Sequence, residues 1–302
     1  MISSAITVGI AGPLTGERSA HAPLLHRACT RLRLAGVIPV LLDDQADPAT
    51  AVRAAHRFVA SGVSAVIGHF NSACADATRW IYRDAGISLM LPASSKSGLT
   101  DLEGVFRLCP TDAEQARLLW RSAAGIPREN VEIVVDGSPY SDRLLEKVLA
   151  EINSPDCLHV VQICDEPASS VRVRLVLATC EGAIRAHRTM CEANWSGVAI
   201  FSDDAHIGAF IQSCIDNPGL VSYVVAANGG FERSVDLACD LVSKAIFTRG
   251  TKSISEWLHK CGLFSDQGEL LDTHWTLLPL QSSGQIKNTF NHPLPGALHE
   301  PS

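Results

Sequence analysis

Residues 66–100 read VIGHFNSACADATRWIYRDAGISLMLPASSKSGLT, and this stretch decides the fold. A short apolar run, Val63 to Ile67, reaches Gly68 and gives way to Asn71 and Ser72. A helical pattern then runs from Ala73 to Asp84, with Trp80 and Ile81 expected to face a sheet. A second apolar run, Ile87–Leu91, is stopped by Pro92 and followed by Ala93-Ser94-Ser95. Strand, helix and strand in so short a compass predict a parallel pair joined by a helical crossover.

The same alternation extends in both directions. A strand over 5–11 leads to a helix around 20–35, and Val37–Leu42 reads as the next strand. Asp47-Pro48 is a helix start, with a capping carboxylate before proline at the first helical position. The stripe Ala51, Val52, Ala55, Phe58, Val59 follows and stops at Gly62. Beyond Phe106–Leu108, expected to cross toward a second lobe, helices read at 113–123 and 142–152. Strands read at 131–135, 159–163, 175–178, 198–201 and 221–225, then helices at 234–246 and 255–261 and paired β segments around 275–280. The fold class is α/β, with two Rossmann-like lobes whose parallel sheets are joined by a hinge.

Composition narrows the function. The chain has 302 residues, 46% of them hydrophobic, which suits about two domains of ordinary size or one large one. A net charge of −7 argues against a nucleic-acid partner, whose phosphates need a basic face. Membrane insertion is not expected, because no apolar run approaches the roughly 20 residues that span a bilayer. The strand pattern begins within a few residues of Met1, with no signal-like region, so a cytoplasmic location is expected; removal of a leader would make it periplasmic. The ten cysteines are scattered without a CxxC pair, which disfavours a zinc site and fits a reducing compartment. No cofactor is expected.

In open α/β sheets, ligands bind beyond the carboxyl ends of strands, where helix N-termini offer unpaired N–H groups. Ser72 and Ser95 stand at two such ends, in neighbouring βα units, and two hydroxyls there suit one carboxylate. The competing reading is that these serines are helix-cap and loop residues.

Ile6–Gly16 (ITVGIAGPLTG), Asp43–Asp47 (DDQAD), Ser64–Thr100 and Gly262–Gln281 resemble the leucine/isoleucine/valine-binding family. These are the type I periplasmic solute-binding proteins of branched-chain amino-acid ABC transporters; cytoplasmic amide sensors share their fold. The resemblance spans nearly the whole chain and is weakest in the second lobe. It implies a first lobe over 1–110 with 228–262 returning to it, a second over 111–227 with 263–285 returning, and a flexible tail at 286–302. It also implies that Ser72 and Ser95 hold the ligand's α-carboxylate and that the Ala93 carbonyl faces the α-ammonium. Asp204 matches the ammonium-binding carboxylate of the second lobe; the alternative is a helix cap before Ala205–Ile215. His21 and Tyr140 match positions that line the pocket, and Glu181, with Cys180, lies near another wall. A carboxylate that meets the ammonium only as the lobes close would couple binding to a hinge.

Departures from the family are specific. Two positions that often form a disulfide carry Ala46 and Asn71. Ile163 to Leu175 leaves little room for a crossover helix, and Ala226–Ser234 is compressed.

Enzymatic readings find less support. Ser72, Ser95, His21, His69, His206 and the Asp203/Asp204 pair would be the parts of a hydrolase, but GxSxG and HExxH are both missing. GPLTG lacks the lysine and serine of a phosphate loop. Asp203, Asp204 and His206 are an acid-and-histidine loop of a common kind rather than a metal signature. Cys74, near a helix N-terminus, is expected to pack inward.

The function expected is a non-enzymatic protein that closes on a small zwitterionic or amide-like ligand, as an intracellular sensor or accessory protein with a regulatory partner. The alternatives are the binding component of an amino-acid ABC transporter, with a permease as partner, and a binding fold recruited to a biosynthetic enzyme. A homodimer is open.

Overall fold

The computed structural model describes residues 6–152, 158–249 and 254–280. The expected flexible tail at 286–302 lies outside them. The chain divides into two compact units, Met1–Thr111 with Ala227–His274, and Asp112–Ala226 with Trp275–Ser302.

The first unit is built on β1 (Thr7–Gly12), β2 (Ile38–Asp43), β3 (Ala65–Ile67), β4 (Ser88–Leu91) and β5 (Val105–Arg107). They form one sheet in the order β2-β1-β3-β4-β5, and every pairing is parallel. β3 and β4 are wholly buried, which is why they read as continuous apolar runs. Pro39 is tolerated in β2 because that strand lies at the edge of the sheet. The connecting helices are α1 (Ala22–Leu34), α2 (Pro48–Ser61) and α3 (Ser72–Asp84). α2 begins as its sequence dictates: the Asp47 carboxylate accepts the Thr50 N–H at 2.7 Å. It ends at Gly62, whose φ of 65° is left-handed and costs glycine nothing.

Phe106–Leu108 does not serve as the crossing; its first two residues belong to β5, and the chain leaves the unit after Thr111. Trp80 also departs from expectation. It is 46% exposed, with the guanidinium groups of Arg79 and Arg83 lying 5.5 and 4.5 Å from its ring. The buried face of α3 is instead Ser72, Cys74, Ala75, Thr78 and Tyr82, and Trp80 falls two residues out of that stripe. Residues 263–274, expected to return to the second lobe, pack in the first unit, where Glu269 bridges to Arg107 of β5.

The second unit carries α4 (Asp112–Ser122), β6 (Val131–Val135), α5 (Pro139–Ala150), β7 (His159–Gln162), β8 (Val173–Leu177), α6 (Cys180–Glu192), β9 (Val198–Phe201), α7 (Gly208–Asp216) and β10 (Val221–Ala227). After α8 (Gly230–Arg249) and α9 (Ile254–Lys260) in the first unit, β11 (Trp275–Leu280) completes the second. The sheet order is β11-β10-β9-β8-β6-β7, with β7, β6, β8, β9 and β10 parallel.

From β7 to β8 the chain passes without a helix, through turns and bends. Under that loop lies an ion pair: Arg174 Nε donates to Glu132 Oε2 at 2.7 Å, with Arg174 fully buried. The loop itself contributes the Asp165 carbonyl to Arg174 at 2.9 Å and the Val171 carbonyl to the Trp195 indole at 3.2 Å. Where an apolar helix would cover apolar side chains, a polar loop covers a buried charge pair.

None of the described helices is long and apolar enough to cross a membrane.

Candidate functional site

In the first unit the loops that follow the strands are laced together by hydrogen bonds. Asp43, closing β2, accepts from Leu14 N and Gln45 N at 2.9 Å each and from the Thr15 hydroxyl at 2.6 Å. Burial works to raise its pKa, but these donors prevail and hold it below the usual carboxylate value. The next residue, Asp44, is fully buried and accepts the Ala46 N–H, while its second oxygen lies 2.6 Å from His69 Nδ1. The other nitrogen of His69 lies 3.0 Å from the Tyr82 hydroxyl. The tautomer with its proton on Nδ1 donates to Asp44 and accepts from the Tyr82 hydroxyl. Burial, and then the Asp44 charge, push the Tyr82 phenol well up, which keeps it a donor.

This chain anchors the turn from β3 into α3. Gly68 is required there, because its φ is 135° and a Cβ would stand 2.1 Å from the Ala11 carbonyl oxygen. The His69 carbonyl accepts the Ser94 hydroxyl at 2.7 Å, which ties the β3 turn to the β4 turn.

The α3 N-cap is Asn71, whose side-chain oxygen accepts the N–H groups of Ala73 at 2.9 Å and Cys74 at 3.4 Å. Ser72 is therefore not the cap. Its hydroxyl oxygen accepts the Lys96 N–H at 3.3 Å, so the Ser72 and Ser95 turns lie side by side. Ser72 and Ser95 are buried and Ala93 is half-buried. The Ser95 hydroxyl makes no hydrogen bond among the described residues, and an oxygen that already accepts leaves Ser72 its proton to give. Two hydroxyl donors in adjoining turns suit a carboxylate.

His21 ends a short 3₁₀ turn, Ser19–His21, at the head of α1. It is buried, 3.3 Å from Arg18 Nη2, with its ring centre 6.4 Å from that of Phe70.

In the second unit Tyr140 lies in the first turn of α5 and donates its hydroxyl to Asp203 Oδ1. Gln115 of α4 holds the same residue twice, giving Nε2–H to Oδ1 at 2.8 Å and accepting the Asp203 N–H at 3.0 Å. Burial pushes the Tyr140 phenol well up, and the carboxylates of Asp203 and Asp204 add to the effect. Asp204 does not cap the helix that follows it, since α7 starts at Gly208. Its Oδ2 accepts the Cys180 N–H at 2.8 Å, at the first residue of α6. Glu181 is half-buried in the first turn of that helix.

Asp44, Tyr82, Arg107, Gln115 and Glu269 were not singled out from sequence, although a lone charge inside the run Val105–Leu108 signals a buried partner. Among the described residues, no three or more His, Cys, Asp or Glu side chains are grouped to hold a metal ion. The described cysteines form no disulfide, and Cys74 is fully buried.

The sequence model described as periplasmic binding protein matches residues 5–156, half of the chain. The chain belongs to this family. Its curated relatives include proteins named as Leu/Ile/Val-binding protein homologues. It is 30% identical over 161 residues to the Leu/Ile/Val-binding protein homolog 2 of Brucella abortus, covering 49% of this chain and 43% of the relative. It is 28% identical over 162 residues to a Pseudomonas aeruginosa amino acid binding protein, again covering 49% and 43%. The matched region thus spans less than half the length of these curated relatives. Among solved structures, LivJ, the branched-chain amino acid transporter substrate binding protein of Streptococcus pneumoniae in complex with isoleucine, superposes with a TM-score of 0.78 at 14% identity, covering 94% of this chain and 98% of that one. The leucine binding protein LivK of Thermotoga maritima gives 0.75 at 16% identity, covering 94% and 97%. At such identities the likeness establishes the type I periplasmic binding protein fold.

Proposed function

We propose that this periplasmic binding protein is a non-enzymatic receptor that closes on a small amino acid or amide-like ligand. In the first unit the Ser72 and Ser95 hydroxyls are proposed to take a carboxylate and the Ala93 carbonyl to face an ammonium; in the second unit the Asp204 carboxylate is proposed to take an ammonium. Tyr140, His21 and Glu181 are wall residues in this reading. The observation that carries it is the hydrogen bond from Lys96 N to Ser72 Oγ, which sets two serine turns side by side with donors to spare. With three tyrosines in the whole chain, a bulky aromatic-lined pocket is not expected, which favours a small or polar ligand. The relatives named for amino-acid binding support the ligand class.

A thermal-shift screen against the amino acids, their carboxamides and short acids tests the reading. An amino acid should stabilise the wild type and fail to stabilise Ser95→Ala and Asp204→Ala. Turnover of any compound in the screen would favour the recruited-enzyme alternative.

Delivery to an ABC permease is the role supported by the solved transporter component. An intracellular sensor is the alternative. Co-purification with a permease, against co-purification with a regulatory protein, separates the two.

A further inference from the structure

Behind the Ser95 turn stands a buried cation. Arg107, at the end of β5, is 1% exposed and donates Nη1–H to the carbonyls of Lys96 at 2.6 Å and Ser95 at 3.4 Å. Its other edge is held by Glu269, which accepts from Nε at 2.8 Å and from Nη2, and which also accepts the Thr100 hydroxyl. The main chain reinforces the grip: Arg107 N–H donates to Gly268 O at 2.9 Å, and Leu270 N–H to Arg107 O at 3.0 Å.

Peptide planarity turns this anchor into a direction. A trans peptide sets its N–H opposite to its carbonyl. Because the Ser95 carbonyl faces Arg107, the Lys96 N–H faces away, and it is this N–H that reaches Ser72 Oγ at 3.3 Å. A guanidinium on the carbonyl polarises the same peptide and strengthens its N–H as a donor. One lone pair of the Ser72 oxygen is thereby taken, and its proton is left to offer.

The geometry points to Arg107, gripped by Glu269, as the positioning residue that fixes Ser72 as a hydrogen-bond donor and gives this unit its preference for an anionic ligand end. Lysine cannot replace it, since one ammonium cannot meet two carbonyls and a carboxylate in that fork geometry. The inference rests on the proposed reading that Ser72 meets the ligand's carboxylate.

The test uses the full chain with Arg107→Lys, and with Glu269→Gln, which keeps an acceptor and removes the charge, as the second variant should Arg107→Lys fold poorly. Amide hydrogen exchange without ligand reads the relay itself. Exchange at Lys96 should quicken roughly tenfold in the variants, the scale of one lost hydrogen bond, with Ala75 in α3 unchanged. Calorimetric titration with the twenty amino acids and their carboxamides reads the preference. The ratio of acid to amide affinity should fall roughly tenfold. Unchanged exchange at Lys96 would overturn the inference, and so would an equal loss of both ligand types, which marks a merely structural role. If nothing in the panel binds the wild type, the proposed function falls, and the relay is judged by Lys96 exchange alone.

Discussion

The Asp204 carboxylate and the Cys180 N–H meet at 2.8 Å, so an acid from the loop after β9 closes the first turn of α6. That contact gives Asp204 a structural duty beside any ligand. Asp204→Asn keeps an acceptor and loses only the charge at the helix N-terminus, so about 0.5–1 kcal/mol of stability should be lost. Asp204→Ala removes the acceptor as well and should cost about 1–2 kcal/mol. Urea unfolding of both variants checks the order.

The Glu132–Arg174 pair predicts strong non-additivity. Arg174→Met strands a buried carboxylate and should cost about 3–5 kcal/mol. Combining it with Glu132→Met should recover most of that loss, because no uncompensated charge remains. Guanidinium midpoints of the two single variants and the double variant decide it.

His187 governs part of the acid limb of stability. It is buried beside Phe201 and Phe210, with ring centres 6.2 and 5.9 Å away, and burial lowers its pKa from 6.5 to about 4. Above pH 6.5 the imidazole is neutral in both states and contributes no slope. Between 6.5 and 4 the unfolded chain binds the extra proton, so stability falls as pH falls. The loss amounts to about 3 kcal/mol at most. His187→Leu should flatten this limb in denaturation curves taken across that window.

Thiol chemistry should sort the cysteines. Cys164 is exposed, whereas Cys74 and Cys214 are buried. Burial, and then the charges of Asp44 and Asp47, push the Cys74 thiol up; burial pushes Cys214 up to about 12. Iodoacetamide at pH 8 should alkylate Cys164 in the folded protein and leave Cys74 and Cys214 until denaturant is added. Peptide mass spectrometry reads the order.

The strands and helices were largely legible because each is buried in a way that marks its composition. β3 and β4 are apolar throughout since both faces are covered, and α2 carries a cap, a proline and a glycine at its ends. Trp80 was misplaced because hydrophobicity alone says little about a residue that two arginines can cover at the surface. The helix-free passage from β7 to β8 was foreshadowed by its shortness. That an ion pair would lie beneath it was not, because Glu132 and Arg174 are partners 42 positions apart.

By itself the sequence determined the α/β alternation, the family, and the strand ends where Ser72 and Ser95 stand. These follow from local patterns: burial periodicity, cap chemistry, and the order of residues around one βαβ unit. Only the tertiary structure decided which partners those residues take. It made Asn71 the cap and so released Ser72 to Lys96, placed Asp204 on a helix begun by another loop, and brought Glu269 to Arg107 across 162 positions. Hydrogen-bond partners distant in the chain are chosen by the packing of elements, and no local pattern encodes that choice.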